Sequence, residues 1–341
     1  MKERIAVGVA GVGYWGSNLA RNLYRIPGCD LVWCCDNEPV RLESAAAAYP
    51  EVRTSTSLDE LLSDRRLDAV ALATPVADHA AMAERVLEAG KHCFVEKPLA
   101  RSVADGRRLC SLAEERGRLL MVGHLLEFHP AVAALRGLLE GGELGQVRYI
   151  YSQRLNLGKL RSDENALWSL GAHDVSVVLA LTGEMPVAVS ARGQGYVREA
   201  VEDVVFAFLR FPSGVVANLH LSWLDPHKER RLTVVGSRRM ATFDDMAPER
   251  KLTVFDKGFD AEADSPGDYV ARSGAARSPQ IDAEEPLRLE LEHFVECVRT
   301  QARPRTDGEN GLRVVTVLEA LQRSLEEDGT LLDLGERALP A

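Results

Sequence analysis

Short apolar segments alternate with segments of helical periodicity through roughly the first 120 residues. The apolar runs have the length of buried strands, and Gly90 and Gly117 stand where helix C-terminal caps are expected. This alternation is typical of βαβ units and predicts a parallel sheet covered by helices. The predicted strands are Ile5–Ala10, Leu31–Cys35, Asp68–Ala73, His92–Val95 and Leu119–Val122.

The pattern changes after about residue 145, where the apolar runs become longer and richer in β-branched and aromatic residues. Such runs suit a mostly antiparallel sheet. These strands are predicted at Gln146–Leu155, Val187–Gln194, Asp203–Phe211, Val215–Trp223 and Arg231–Val235. Helices are expected from about Leu167 to Leu181, ending before Gly183, and near 287–300 and 309–327. The stretch from about Asp256 to Glu285 has weak periodicity and is predicted to be a long loop.

The chain is therefore predicted to be an α/β protein of two domains. Its 341 residues exceed the usual size of one hydrophobic core. A Rossmann domain with a doubly wound parallel sheet is expected over residues 1–122. A second α/β domain with a large, mostly antiparallel open sheet is expected over residues 123–341.

Charge and composition exclude several classes of protein. The formal net charge is −10 and no long Lys/Arg run is present, so nucleic acid is not expected as a partner. No segment approaches about 20 continuous apolar residues, so no membrane span is expected. The cysteines are scattered and form no CxxC pair, which favours reduced core residues, no metal site and a cytoplasmic location.

A glycine motif, Gly11-Val12-Gly13-Tyr14-Trp15-Gly16, follows the first predicted strand and opens a predicted helix. In that context Gly11 allows the tight turn, Gly13 lets a pyrophosphate approach the backbone, and Gly16 permits close packing of helix on strand. The helix N-terminus then receives the phosphate charge, with Tyr14 and Trp15 beside it. Without its context, the motif is an ordinary glycine-rich turn.

Asp36 ends the second predicted strand about 20 residues after Gly16, followed by Asn37. An acidic side chain there binds the ribose hydroxyls of the adenosine, and its charge repels a 2′-phosphate. NAD is therefore expected in preference to NADP. The alternative is a helix-capping Asp, because Asn37-Glu38-Pro39 opens a helix.

A second group of residues follows two later strands, at the edge where open α/β sheets bind ligands. The residues are Ala73-Thr74-Pro75, His79 and Glu96-Lys97-Pro98. Together with the glycine motif, this group resembles the Gfo/Idh/MocA family, which contains glucose–fructose oxidoreductase and inositol dehydrogenase. The resemblance implies that they line the nicotinamide site, that Lys97 lies beside the substrate hydroxyl, and that a cis bond often precedes Pro98. Taken alone, Lys97 reads as a solvated surface lysine.

The segment Asn165–Asp174 resembles the helix that carries the family's catalytic histidine. The resemblance implies that His173 is the general base, a function that suits the pKa of histidine. Many relatives have an Asp one turn earlier, where this chain has Ser169, so the Asp–His arrangement of the family is not expected. Taken alone, a helical His is more often structural.

The resemblance covers nearly the whole chain, including the segments Arg154–Lys159, Arg161, Asp163–Trp168 and Ser222–Pro226. On these segments the chain resembles the subgroup that oxidises the 3-hydroxyl of UDP-N-acetylated sugars. It implies NAD-dependent oxidation of UDP-N-acetylglucosamine to a 3-keto sugar, which an aminotransferase consumes in lipid A or cell-envelope biosynthesis. Expected substrate contacts are Lys97, Arg154, Asn156, Lys159, Arg161, Asn165, Trp168, His173 and Trp223. Lys228 and Arg231 extend a cationic lining for a diphosphate, or belong to a solvated strand face.

Three alternatives stay open: the corresponding UDP-uronic acid as substrate, an inositol or free-sugar dehydrogenase, and a catalytically silent NAD-binding regulator. The family resemblance also implies a homotetramer formed through the second-domain sheet. One face of that sheet carries alternating side chains that are expected to be buried against another protein surface, namely Val204, Phe206, Phe208, Val216, Asn218 and His220.

Overall fold

A computed structural model describes residues 3–158, 160–261 and 268–335. The chain forms two compact units. The first combines Met1–Phe128 with Glu284–Thr316, and the second combines His129–Ala283 with Val317–Ala341. The division predicted at residue 122 differs from these units, because it assigns residues 284–316 to the second domain.

The first unit is built on a parallel sheet of six strands in the order β3-β2-β1-β4-β5-β6. The order reverses direction between β1 and β4, which is the Rossmann arrangement and confirms the predicted fold class. The strands are β1 Ile5–Ala10, β2 Cys29–Cys35, β3 Arg53–Ser55, β4 Ala69–Leu72, β5 His92–Glu96 and β6 Leu120–Gly123. The sequence analysis missed β3, whose three residues are too few to show a period.

Helices connect these strands as the alternating pattern predicted. They are α1 Gly16–Arg25, α2 Pro39–Ala48, α3 Leu58–Ser63, α4 Val76–Glu88 and α5 Val103–Glu115, followed by a 3-10 segment, Leu125–Phe128. Gly90 and Gly117 follow α4 and α5 with φ of 72° and 59°. A side chain is strained in that left-handed region, which is why glycine ends these helices.

The second unit contains a sheet of nine strands in the order β14-β13-β12-β11-β7-β10-β9-β8-β15. Only the pairing of β10 with β7 is parallel within the described sheet, so the predicted mostly antiparallel sheet is confirmed. The strands are β7 Val147–Leu155, β8 Ala188–Gln194, β9 Val204–Arg210, β10 Val216–Ser222, β11 Glu229–Gly236, β12 Met240–Asp244, β13 Leu252–Ala261, β14 Tyr269–Arg277 and β15 Leu332–Asp333.

A hairpin of β13 and β14 occupies most of the stretch that was predicted to be a loop, and that prediction was wrong. The outer part of β13 and nearly all of β14 are exposed on both faces. The sequence therefore lacks the alternation of apolar and polar residues by which a half-buried strand is recognised. Residues 262–267 lie outside the described residues.

The remaining helices are α6 Pro130–Glu140, α7 Ala172–Thr182, α8 Pro286–Thr300 and α9 Gly308–Glu326. Leu287, Leu291 and Phe294 recur at helical spacing on α8 and are buried in the same core as Ile5 and Val7. This shared core places α8 in the first unit. Among the described residues, no helix has the length and apolar character needed to cross a membrane.

Candidate functional site

The glycine motif forms a bare backbone turn between β1 and α1. Gly11 has a φ of 85°, and a Cβ at Gly16 would lie only 1.7 Å from the Gly11 carbonyl oxygen. A Cβ on Gly13 would meet only the end of the Arg41 side chain, at 3.5 Å. The turn therefore leaves backbone accessible at Gly13, next to the N-terminus of α1, which suits a pyrophosphate.

A cavity of about 360 Å³ adjoins this turn. Asp36 lies in its wall, and its carboxylate accepts hydrogen bonds from the backbone N–H groups of Val12, at 2.8 Å, and Glu38, at 3.0 Å. The guanidinium of Arg41 stands 3.3 Å from the same carboxylate. Asp36 thus joins the glycine turn to the start of α2. Its two oxygens have acceptor capacity left for hydroxyl groups.

The cavity lining also contains residues that the sequence analysis did not assign to the cofactor. Arg41, Thr56, Leu58 and Met82 contribute to it beside the predicted Gly11, Gly13, Asn37, Thr74 and Pro75. No sequence motif marks these four. Arg41 could have been found from its position as the third residue of α2, because a basic side chain there reaches back to Asp36 after the end of β2.

The ends of β4 and β5 are joined by His79 on α4. The ring nitrogens of this buried histidine lie 2.8 Å from the Pro98 carbonyl oxygen and 2.9 Å from the Thr74 carbonyl oxygen. Burial lowers the pKa of His79, and a neutral ring donates to only one of the two. These two contacts indicate that His79 holds the segments after β4 and β5, which carry Thr74 and Pro98, in position. The Lys97–Pro98 peptide bond is cis.

Glu96, the last residue of β5, reaches back to the glycine motif. Its Oε1 accepts a hydrogen bond from the Trp15 indole Nε1 at 2.5 Å. Burial raises the pKa of Glu96 to about 7, against the opposing effects of the Trp15 hydrogen bond and the nearby Lys97 charge. Tyr14, by contrast, points into solvent with 90% of its surface exposed.

His173 is the second residue of α7 and is half-buried. The preceding turn, Leu167–Gly171, is a π-helix, a feature often found at functional sites. A Cβ on Gly171 would lie 2.9 Å from the Leu221 side chain on β10, so the turn sits directly on the sheet. Ser169, which replaces the Asp of many relatives, is buried in this turn.

The residue after His173 carries a buried ion pair. The Asp174 carboxylate accepts a hydrogen bond from Arg154 Nε at 2.5 Å and another from the Ser152 hydroxyl at 2.5 Å. All three residues are at most 8% exposed. Arg154, predicted to contact substrate, is therefore engaged in holding α7 on β7. The sequence analysis did not identify Asp174, although its place beside His173 was a usable signal.

The other predicted substrate residues of this unit differ in their contacts. Asn165 and Trp168 both donate side-chain hydrogen bonds to the Gln322 amide oxygen on α9, which fixes the start of the π-helical turn. Arg161 is exposed and paired with Glu164 at 3.0 Å. The Trp223 ring is buried, and its carbonyl oxygen accepts from Gly158. Lys159 lies outside the described residues.

Arg230 is a basic residue that the sequence analysis missed. It faces Arg154 across the β11–β7 pair and donates to the Asn156 amide oxygen at 2.9 Å. Burial, reinforced by the Arg154 charge, lowers the pKa of Arg230 to about 10. Its neighbour Arg231 instead pairs with Glu229 at 3.2 Å, and Lys228 is exposed. Among the described residues, no group of three or more His, Cys, Asp or Glu side chains is arranged to hold a metal ion.

Two family models match the chain. The first, described as an oxidoreductase family with an NAD-binding Rossmann fold, covers residues 5–124, and the second, a GFO/IDH/MocA C-terminal domain, covers residues 132–242. The chain belongs to the Gfo/Idh/MocA oxidoreductase family. The protein is accordingly an NAD-binding oxidoreductase, and the residues around Gly13 and Asp36 fit that cofactor.

Individual members of the family resemble the chain along most of its length. UDP-N-acetylglucosamine 3-dehydrogenase of Acidithiobacillus ferrooxidans is 31% identical over 94% of this chain and 96% of its own. Its solved structure, GnnA, superimposes with a TM-score of 0.83 at 29% identity, covering 95% of this chain and 98% of that one. The NAD complex of GenD2 from gentamicin A biosynthesis gives 0.82 at 25% identity, covering 97% and 96%. The NAD-dependent scyllo-inositol 2-dehydrogenase of Bacillus subtilis is 26% identical over 89% of each chain.

Proposed function

We propose that this protein oxidises the 3-hydroxyl of UDP-N-acetylglucosamine with NAD, giving the 3-keto nucleotide sugar. The observation that carries the proposal is the 31% identity to UDP-N-acetylglucosamine 3-dehydrogenase over 94% of the chain. The inositol dehydrogenase of Bacillus subtilis matches at a lower 26%. The ketone is then the substrate of an aminotransferase in cell-envelope or lipid A biosynthesis, and the reaction takes place in the cytoplasm.

In this proposal His173 removes the proton from the sugar hydroxyl, and the ammonium of Lys97 polarises the same oxygen. NAD, when bound, accepts the hydride. The buried Asp174–Arg154 pair supports the first role, because it fixes the backbone of α7 at the residue after His173. The buried Glu96 supports the second, because it precedes Lys97 and anchors the end of β5.

The diphosphate is the group that distinguishes the proposed UDP-sugar substrate from inositol. Two arginines support its binding by the second unit: Arg230, held by Asn156 on the β11–β7 pair, and the exposed Arg161. Arg154 adds no net charge to this site, because Asp174 neutralises it. Guanidinium groups bind phosphate oxygens in pairs of hydrogen bonds, a geometry that a free hexose or inositol does not use.

The test is a spectrophotometric assay with NAD, UDP-N-acetylglucosamine, an aminotransferase and an amino donor, because oxidation of a secondary alcohol needs removal of the ketone. Lys97→Ala and His173→Ala are expected to lower kcat by about 10²- to 10⁴-fold while leaving the Kd for NAD nearly unchanged. Lys257→Ala, an exposed lysine on the outer hairpin, is the matched control and keeps full activity.

Substrate choice is tested in the same assay. UDP-N-acetylglucosamine should exceed free N-acetylglucosamine and scyllo-inositol in kcat/KM by orders of magnitude, because the remote diphosphate holds the sugar in register. It should also raise the melting temperature when NAD is present. Faster oxidation of scyllo-inositol would replace the proposal with an inositol dehydrogenase, and faster oxidation of the UDP-uronic acid would change the sugar.

We also propose that the protein assembles as a homotetramer through the open face of its nine-stranded sheet. Tyr149 and Tyr151 stack on this face at 6.2 Å between ring centroids, and Phe206 stacks on His220 at 4.4 Å. Phe206 is 51% exposed. A contiguous aromatic surface of this kind typically marks an interface between protein subunits.

A further inference from the structure

Three parallel strands of the first unit, β4, β5 and β6, lie side by side and end at one edge of the sheet. Thr74, Lys97 and His124 come directly after these strand ends. Open α/β sheets bind their ligands at this edge, on the two sides of the point where the strand order reverses. Asp36 and the glycine turn serve the adenosine half of the cofactor, so the ends of β4 to β6 are expected to receive the nicotinamide half.

His124 is buried at this edge without a hydrogen-bond partner for its ring. It is 1% exposed, and among the described residues neither Nδ1 nor Nε2 has a partner. The other buried histidines of the described chain, His79, His92 and His129, each have at least one ring nitrogen in a hydrogen bond to the backbone. Since buried polar groups are normally hydrogen-bonded, the His124 ring is an exception that points to a ligand.

The backbone that carries His124 is held in place on both sides of the strand end. The N–H of Val122 donates to the Thr306 carbonyl oxygen at 2.7 Å, and the Thr306 hydroxyl donates back to the Val122 carbonyl oxygen at 2.7 Å. The N–H of His124 donates to the same carbonyl oxygen at 2.8 Å. The ring is therefore presented by a fixed strand end, which is the kind of support that binding residues need.

Thr74 provides a second, independent observation at the same edge. Its hydroxyl oxygen is buried and has no hydrogen-bond partner among the described residues. Thr74 also lines the cavity beside Gly13. Because β4 and β6 flank β5, Thr74 and His124 stand on the two sides of Lys97. Unsatisfied buried polar groups on both sides of one lysine indicate that polar atoms of a ligand bind here.

The chemical state of His124 narrows the class of ligand. Burial and the positive charge of Lys97 lower the pKa of His124 to about 3, so its ring is neutral. A neutral imidazole has one N–H donor and one nitrogen acceptor. A phosphate or carboxylate offers acceptors alone, whereas a carboxamide offers both an N–H donor and a carbonyl acceptor. A neutral amide is thus the partner that suits either nitrogen of the ring.

We propose that His124 binds the carboxamide group of the nicotinamide and thereby fixes the orientation of that ring. The nicotinamide can turn about the bond to its ribose and present either face to a substrate. A hydrogen bond to the carboxamide selects one of these orientations, and such orientation of a reacting group contributes to the rate of its reaction. The proposal depends on the cofactor alone and not on the identity of the sugar.

The experiment is calorimetric titration of the full chain with NAD⁺ and, separately, with ADP-ribose, which lacks the nicotinamide. His124→Phe keeps a ring of similar size without polar atoms and should raise the Kd for NAD⁺ about tenfold. The Kd for ADP-ribose should stay within about twofold of its original value. An unchanged Kd for NAD⁺, or equal losses for the two ligands, would overturn the proposal.

His92→Phe is the matched control, because His92 is a buried histidine at the opposite end of β5. It removes the acceptor of the Leu119 N–H and should lower the melting temperature while leaving the Kd for NAD⁺ unchanged. His124→Phe removes no hydrogen bond of the described structure, so the cofactor-free variant should keep its melting temperature or gain a little. A loss as large as that of His92→Phe would show that the ring has a structural role instead.

Two amide substitutions test the hydrogen bond itself. His124→Asn places polar atoms near the position of Nδ1, and His124→Gln places them near that of Nε2, each with a donor and an acceptor. One of the two should bring the Kd for NAD⁺ to within about threefold of the original value, which identifies the nitrogen involved. His124→Leu replaces His124→Phe if the latter does not fold. Equal weakness of the Asn, Gln and apolar variants would contradict the hydrogen bond.

Discussion

At the scale of single residues, Asp36 is placed for both of the roles between which the sequence left a choice. Its carboxylate accepts N–H groups from the glycine turn and from the start of α2, and it also lines the cavity beside Gly13. Arg41 lies against the same carboxylate, so one acidic and one basic side chain line the cavity beside Gly13. We therefore expect the preference between NAD and NADP to depend on the balance between these two side chains.

Asp36→Ala should weaken NAD binding by about tenfold, the equivalent of about 1.4 kcal/mol, because two backbone contacts and the acceptor for ribose hydroxyls are lost. NADP binding should improve in the same variant, since Arg41 is then released toward a 2′-phosphate. Calorimetric Kd values for both cofactors give the ratio. Adding Arg41→Gln to Asp36→Ala should remove the gain, and equal affinities in the unmutated protein would contradict the role of Asp36.

At the scale of elements, a buried ion pair between α7 and β7 fixes the backbone beside His173. Asp174 and Arg154 are both buried, and Ser152 completes the contact. Removing one member leaves the other charge buried without compensation, which costs about 3 kcal/mol or more. Asp174→Asn should therefore lower the melting temperature by roughly 6 to 12 °C.

The control is Asp328→Asn, which breaks an exposed ion pair with Arg192 in the same unit and should change the melting temperature by little. Arg154→Met combined with Asp174→Asn should be less destabilising than the sum of the two single changes, because no unpaired charge is left. Additive losses would show that the pair does not act as a unit.

The strands and helices that could be predicted are those whose burial imposes a period. β1 is buried at every position, and β9 alternates between buried and exposed residues. The outer hairpin could not be predicted, because solvent on both faces of β14 removes any alternation. Within the site, the glycine turn has a motif, whereas the Asp174–Arg154 pair depends on a contact between residues distant in sequence, which no local pattern records.

At the scale of the whole molecule, the aromatic face of the large sheet is where assembly is expected. Tyr149 and Tyr151 on β7, and Phe206 and His220 on β9 and β10, present adjacent rings on strands that pair directly. Phe206→Glu places a charge among them and should reduce the mass measured by light scattering to that of a smaller species. Tyr196→Glu, exposed outside this face, should leave the mass unchanged. A monomeric unmutated protein would refute the proposed tetramer.

The return of the chain to its first unit affects how the protein is made on the ribosome. Leu287, Leu291 and Phe294 share a core with the opening strand, yet the segment that carries them ends about 190 residues after Phe128. At roughly 5 to 20 residues per second, translation takes about 10 to 40 s to cover that distance. While the second unit is synthesised, part of the apolar surface of the nascent Rossmann sheet therefore stays exposed. We expect chaperones to bind the nascent chain during this interval.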